Sequence, residues 1–334
     1  MTTTPLITDN LFERVLLEPA KRGSSELFVL SGYSSASMVT KHFEIVSKEL
    51  SLDLSIDLHI GMSGRDGLSR NTLLGLQSIP RQIGGRTFTC SLDVRGRSNH
   101  SKIYVWCDDK GPKEAFLGSS NYTQLGFGIS ATASTHKEVC VAIDPIAGFE
   151  YVLASSQGGI SYKNPDIANF IDLFDEPIPS KLTFDEPTTA LWSSNFVDLP
   201  LVMSRSAAQG EVHPKSGLNW GQREGRNPDQ AYIPIPSTIA KAKFFPEKSV
   251  HFQVVTDDGE AFVCTVAQDN EKALETPSDN SILGKYFRKK LNIPYGAFVE
   301  KKHLEDFGSN LVRIYKRDDD CYQLSFQPGR VLEF

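Results

Sequence analysis

The sequence predicts two units of different fold class: an α/β unit over residues 1–175, with a mixed sheet flanked by helices, and a mainly-β pseudobarrel over 201–334, joined by a linker over 176–200. Three observations predict this. In the first half, short apolar runs alternate with stretches whose apolar residues recur at helical spacing. Near residue 176 the texture changes, because Glu176 to Pro187 holds three prolines and several charges, the composition of a linker or extended strap. Beyond residue 200 short strand-like runs follow one another with few helices, the pattern of a small barrel. At 334 residues the chain is long enough for each unit to bury its own core.

The elements follow in order. Glu26 to Gly32 reads as a strand, and Ala36 to Leu50 carries apolar residues at helical spacing. Leu54 to Gly61 is a second strand, followed by a helix around Leu68 to Ile79. Strands near 87–94, 101–106, 115–117 and 139–143 complete the first set. His59, on the second strand, reads as a satisfied sheet residue and not as a second catalytic base. In the second half, strands are expected over 231–235, 249–255, 260–267, 311–315 and 321–326, with Thr256 to Gly259 as a hairpin turn. Short helices are expected around 282–290 and 300–307.

Composition is that of an ordinary globular protein, 40% hydrophobic and 23% charged, with no run near the ~20 apolar residues that span a bilayer. The first residues have neither the basic region nor the apolar stretch of a signal peptide, which predicts a cytoplasmic protein. Five scattered cysteines (Cys90, Cys107, Cys140, Cys264, Cys321) have no metal spacing and read as reduced core residues. The net charge of −6 is unevenly spread: residues 1–200 carry 17 basic against 23 acidic side chains, whereas 201–334 carry 18 of each. Local clusters, such as 285–290, matter more for phosphate binding than the total.

The chemistry is concentrated in His100-Ser-Lys102, followed by Gly118-Ser-Ser-Asn121. Residues two apart on a strand share a face, so an imidazole and an ammonium would lie side by side. The apolar run 115–117 would end in a turn carrying Ser119 and Asn121. Together these offer a nucleophile or proton carrier, a fixed positive charge and two neutral hydrogen-bonding groups, a set suited to a phosphodiester whose charge builds on its oxygens. His-x-Lys alone is weak, since His213-Pro-Lys215 repeats it with no Gly-Ser-x-Asn behind it. The conjunction is what carries the reading.

The region resembles the phospholipase D superfamily, whose motif sets an aspartate between the two halves. Here that position is Cys107, with Asp108 and Asp109 just beyond, and the gap to Gly118 is longer. The resemblance therefore points to the nuclease branch, which often lacks that aspartate. Glu138 matches a glutamate carried by superfamily nucleases on the strand after the asparagine. The resemblance implies catalytic roles for His100, Lys102, Ser119, Asn121 and Glu138, with Glu138 orienting a histidine. It implies no catalytic metal or other cofactor, and, because the motif occurs once, a homodimer with one shared site.

In the second unit, Lys215 to Asn227 is a glycine-punctuated polar loop offering Lys215, Asn219, Trp220, Gln222, Arg223 and Arg226, and Arg, Gln and Asn are the side chains that form bidentate bonds with bases. A second segment, 269–290, offers Lys272, Asn280, Arg288 and Lys289 for phosphates and bases. Residues 212–326 are similar to the plant B-three-type DNA-binding pseudobarrel, in which two loop arms grip the major groove. Behind a single-motif nuclease unit, this resembles the BfiI-like and NgoFVII-type restriction endonucleases. The resemblance implies double-stranded DNA as substrate, a cognate methyltransferase and, in some relatives, a separate ATP-dependent helicase subunit. The chain has no phosphate-binding Gly-x-x-x-x-Gly-Lys-Ser/Thr loop, so any ATP use would belong to such a partner. The competing expectations are a DNA-binding regulator with an inactive nuclease unit and a lipid phosphodiesterase of the same superfamily.

Overall fold

The computed structural model describes residues 6–129, 137–175, 196–203, 209–248, 250–318 and 320–332. The chain divides into two compact units, Met1–Glu176 and Pro177–Phe334. The Pro-rich stretch from Glu176 to Pro187 lies outside the described residues.

In the first unit the strands are β1 (Glu26–Ser31), β2 (Ser55–Ile60), β3 (Leu68–Ser69), β4 (Phe88–Leu92), β5 (Ile103–Asp108), β6 (Gly111–Gly118), β7 (Cys140–Ile143), β8 (Ile160–Ser161) and β9 (Leu173–Phe174). Seven of them form one sheet in the order β7-β6-β5-β1-β2-β4-β8. Its β1–β2–β4 core is parallel, while β5, β6 and β7 add antiparallel on one side and β8 on the other. The expected mixed sheet is therefore present. Parallel strands need crossovers, supplied by the helices Ala36–Glu44, extended by wider turns to Glu49, and Arg70–Gln82. Each starts on a serine cap, Ser35 accepting from Met38 N and Ser69 from Thr72 N. β1 is central and buried on both faces over its second half, which is why it reads as a continuous apolar run and not as an alternation.

The sequence reading has no helix at Pro145–Ser156, although Asp144 caps it and Pro145 opens it. Its apolar residues do not keep to one stripe, so helical periodicity is weak.

In the second unit the strands are β10 (Phe196–Pro200), β11 (Ile233–Pro234), β12 (His251–Thr256), β13 (Ala261–Ala267), β14 (Ala273–Glu275), β15 (Leu311–Lys316) and β16 (Cys321–Ser325). They run in the order β10-β15-β16-β12-β13-β14-β11, with only β12 and β16 parallel, and the two edge strands approach each other into a nearly closed barrel. The core holds Phe252, Phe262, Phe287, Tyr322 and Phe326. β10 lies inside the stretch expected to be linker. Asp198 on it receives both Arg313 Nε and Nη2 at 2.7 Å, and Phe196 lies under the same guanidinium at 4.0 Å, so a bidentate pair and a cation–π contact fix an edge strand that five residues of sequence do not announce.

Beneath the first sheet, His42 is fully buried, with Nε2 3.0 Å from the Leu16 carbonyl and Nδ1 2.7 Å from the Tyr122 hydroxyl. The carbonyl can only accept, so Nε2 carries the proton and Tyr122 donates to Nδ1. Burial pushes this imidazole down from 6.5 to about 4. Below pH 6.5 the unfolded chain therefore takes a proton that the fold refuses, and stability falls as pH drops towards 4, by a total of about 3 kcal/mol for this group. Thermal unfolding from pH 7 to pH 4.5 should show that slope reduced by about one proton in His42→Gln. Identical slopes in the two proteins would refute the assignment.

Candidate active site and candidate DNA-binding loops

The catalytic candidates converge at one end of β1, β5 and β6. His100 and Lys102 precede β5, on an extended lead-in and not within the strand as expected. His100 is exposed, whereas Lys102 is 6% exposed and its Nζ folds back to donate to the His100 carbonyl at 2.7 Å. Burial pushes the Lys102 ammonium down, and the Glu138 charge partly offsets this. That is a cation held in a poorly solvated place, where its field on a phosphate is stronger than in water.

Gly118 ends β6 where a side chain cannot fit, because a Cβ would lie 2.2 Å from the Val139 carbonyl oxygen. The chain then turns, and Ser119 becomes the bridge to the next strand: its amide donates to Val139 O at 2.9 Å, its hydroxyl donates to Glu138, and Val139 N donates to that hydroxyl at 3.1 Å. Glu138, expected to orient a histidine, is engaged with Ser119. Asn121 accepts from the Tyr33 amide at 3.3 Å, which directs its NH2 group away from β1 and leaves it to donate elsewhere. Gly32 lies against both motif halves, since a Cβ there would be 2.7 Å from His100 Cδ2 and 3.3 Å from Asn121 Oδ1.

Three buried contacts pin the loop from below. The Tyr104 hydroxyl donates to Ser120 O at 2.6 Å, Tyr122 N donates to Ser31 Oγ at 2.9 Å, and the Tyr122 hydroxyl meets His42. His59 belongs to the sheet, as expected: it is buried, with Nδ1 2.8 Å from Ser91 Oγ and Nε2 3.3 Å from Asp93, and burial lowers its affinity for a proton. His213 and Lys215 form a local turn, Lys215 N donating to His213 Nδ1 at 3.0 Å. Among the described residues no three His, Cys, Asp or Glu side chains gather where they could hold a metal ion. Tyr33 and Asp66 also line the site. The only sequence signal for them is a glycine-tyrosine pair at the end of an apolar run.

In the second unit, the loop from Lys215 to Gln230 exposes Lys215, Arg223 and Arg226. Arg226 stacks over Trp220 at 4.1 Å and bonds Gln230 at 3.1 Å, while Arg223 Nε donates to Lys215 O at 2.7 Å. Gln222 is half-buried and donates to the carbonyls of Pro228 and Gly296, both at 3.1 Å. Two of the expected DNA contacts point inward and must be corrected. Asn219 and Arg288 are both fully buried. Asn219 exchanges two hydrogen bonds with the Val299 backbone at 2.8 Å, and Arg288 donates to the carbonyls of Ala297 at 2.9 Å and Pro228 at 3.0 Å, with Asp229 at 3.4 Å. The loop leaves many carbonyls without a ladder, and these two side chains supply the missing donors.

In the second segment Lys272 is exposed, on a turn where Gln268, Asn270 and Glu271 all have positive φ. Asn280 is half-buried, its amide 3.4 Å from Glu275. Lys289 is exposed but paired with Glu260 at 2.8 Å.

Two family models cover most of the chain. The NgoFVII restriction endonuclease N-terminal PLD domain matches residues 9–163, and the NgoFVII C-terminal B3-like DNA-binding domain matches residues 195–318. The chain belongs to the NgoFVII-type restriction endonuclease family. Its first unit is the phospholipase-D-type nuclease domain and its second the DNA-binding domain, the parts of a DNA endonuclease. No curated protein matches the chain. Among solved structures, a polyphosphate kinase from Porphyromonas gingivalis aligns at 18% identity and a TM-score of 0.29, covering 49% of this chain and 26% of the kinase. The chain thus spans about a quarter of that protein. Among the described residues no helix is long and apolar enough to cross a membrane.

Arg288 reaches the carbonyls of Ala297, Pro228, Asp229, Gly284 and Leu218, so Arg288→Met should destabilise the second unit by about 2–4 kcal/mol, and Asn219→Ala by about 1–3 kcal/mol. Urea unfolding measures both. Unfolding midpoints equal to the wild type, combined with lost DNA binding, would restore the two residues to the DNA-contact set.

Proposed function

We propose that this protein is a sequence-specific DNA endonuclease that works without a catalytic metal ion, through a covalent phosphohistidine at a site shared by two copies of the chain. The packing of His100 and Asn121 against one glycine, Gly32, with Lys102 Nζ on the His100 carbonyl, is the observation that supports it.

A nitrogen of His100 attacks phosphorus and forms a P–N bond, the P–O bond to the leaving strand breaks, and the departing oxygen takes a proton from His100 of the second copy. Water then attacks phosphorus, gives its proton to that same second imidazole, and the P–N bond breaks. Two moderate displacements replace one difficult one. Lys102 and the Asn121 NH2 group neutralise the growing charge on the non-bridging oxygens, a role for which a buried ammonium and a fixed amide are suited. Ser119, tied to Glu138, holds the turn that carries Asn121 and lines the phosphate site. A two-fold axis gives a single-motif chain two histidines in one pocket. The second unit supplies sequence choice, with Arg223 and Arg226 reading base edges and Lys215 and Lys272 holding phosphates.

Acid quenching of cleavage run in EDTA should trap labelled DNA on the protein, and His100→Ala should abolish both trapping and cutting. Cleavage that appears only on adding a divalent metal would sink the mechanism. Mixing wild type with His100→Ala should inactivate the mixed dimers, so a rate simply proportional to wild-type chain would rule out the shared site. For the reading loop, Arg223→Ala should cost about 1–3 kcal/mol on the cognate duplex and relax one base preference. Lys215→Ala should weaken all duplexes alike and lower the salt slope by roughly one. Competition binding with single-mismatch duplexes at several salt concentrations separates the two, and equal loss of all preferences in both variants would discard the assignment.

A further inference from the structure

Tyr33 is the large aromatic at the nuclease site, and it is held from three directions. Its amide donates to Asn121 Oδ1 at 3.3 Å, its hydroxyl donates to Asp66, and its ring meets the His100 imidazole edge to face, with centroids 6.0 Å apart and planes at 77°. The residue is 42% exposed, a degree of solvent contact at which an untethered ring would sample several rotamers. The bond to Asp66 raises the affinity of the phenol for its proton, so the hydroxyl remains a donor.

Asp66 is itself fixed relative to His100. It ends a short helical turn, Ser63–Asp66, that follows Gly61. Gly61 and Asn99 exchange backbone register, Asn99 N donating to Gly61 O at 2.8 Å, and a Cβ on Gly61 would lie 2.1 Å from Asn99 O. Ser63 Oγ adds a bond to Asp93 O at 2.9 Å. The contacts therefore close a ring: His100 to its neighbour Asn99, then Gly61, Asp66, Tyr33 and back to the imidazole. On its other side Tyr33 reaches Asn121, in the second half of the motif. Among the described residues no hydrogen bond orients the exposed His100 ring, and the packing of Gly32 and Tyr33 lies against it.

We propose that Tyr33, anchored by Asp66, is a positioning residue that sets the tilt of the His100 imidazole and so the aim of its attacking nitrogen. The proposal rests on the reading of His100 as nucleophile. An edge-to-face contact orients a ring because the positive ring edge of one partner seeks the π face of the other. Near-attack geometry is demanding, and a displacement of 1 Å can cost on the order of 100-fold in rate.

The test uses the whole chain and five variants, one of them for signal assignment. Tyr33→Ala should lower the single-turnover cleavage rate by about 10- to 100-fold while DNA affinity changes by less than about two-fold. Tyr33→Phe keeps the ring but loses the tether and should fall between wild type and Tyr33→Ala, with Asp66→Asn and Asp66→Ala moving in the same direction. In parallel, imidazole NMR signals, with those of His100 assigned through His100→Gln, should move for His100 in Tyr33→Ala while those of buried His42 and His59 stay in place. The latter two signals report that the unit is folded. Unmoved His100 signals with an unchanged rate would overturn the proposal. So would weaker DNA binding with an unchanged single-turnover rate, which marks Tyr33 as a DNA contact. If the wild type cuts no DNA, the nuclease reading fails, and the NMR comparison still decides whether Tyr33 orients His100.

Discussion

Close approach of backbone to neighbouring groups at the ends of β1 and β6 is the constraint on which the nuclease site depends. A Cβ on Gly32 would collide with the His100 ring, and a Cβ on Gly118 would collide with the Val139 carbonyl and the Cys140 sulfur. With hydrogen at both places, the end of β1 lies against both His100 and Asn121, and the end of β6 lies against the strand that follows Glu138. The glycine of Gly-Ser-x-Asn thus has a packing reason, and the serine after it has a structural one, since its hydroxyl both donates to Glu138 and accepts from Val139 N. The charge chemistry is possible only because the backbone first closes to this distance.

Beneath that surface the polar groups are neutral. His42, Tyr122 and Tyr104 are buried and bonded to one another or to main-chain carbonyls. Burial lowers proton affinity at His42 and raises it at Tyr104 and Tyr122, so each shift favours the uncharged form. These neutral groups add no charge of their own, and the charge that acts on the Lys102 ammonium is that of Glu138. The same bonds hold Ser120 and Tyr122 on either side of Asn121, which converts a turn into a rigid mount.

The sheet of the first unit was legible in sequence because its strands are buried runs separated by helical periodicity, and the motif halves were legible because both flank such runs. What was not legible depends on contacts remote in sequence. β10 is fixed by Arg313, 115 residues away from Asp198, and no local pattern of Phe196 to Pro200 announces it. Asn219 and Arg288 were misplaced for a related reason. Asn and Arg in a glycine-rich polar loop look the same whether they bond bases or the loop's own carbonyls, and only burial separates the cases. The strand expected from 101 starts two residues later, at Ile103, yet the extended lead-in keeps His100 and Lys102 side by side, with Lys102 turned back on the His100 carbonyl.

The charge pattern of the second unit bears on how an acidic chain approaches DNA. The basic run 285–290 is the densest in the sequence, but Lys289 is paired with Glu260, and Lys290 lies 3.3 Å from Asp258 and 3.8 Å from Asp257. The carboxylates come from the turn between β12 and β13, whose closure is set by Gly259 at positive φ and by Glu260 N donating to Thr256 Oγ1 at 2.9 Å. A hairpin turn therefore sets acidic charge against the two lysines and weakens the field they would present. By contrast, among the described residues, no carboxylate lies within ion-pair distance of Lys215, Arg223 or Arg226. These exposed cations sit on one loop braced by Asn219 and Arg288. Counterion release responds to uncompensated charge on the surface that meets phosphate, not to the sum over the chain. A net charge of −6 and a DNA-binding domain are thus compatible, because compensation is local and this loop is where it is missing.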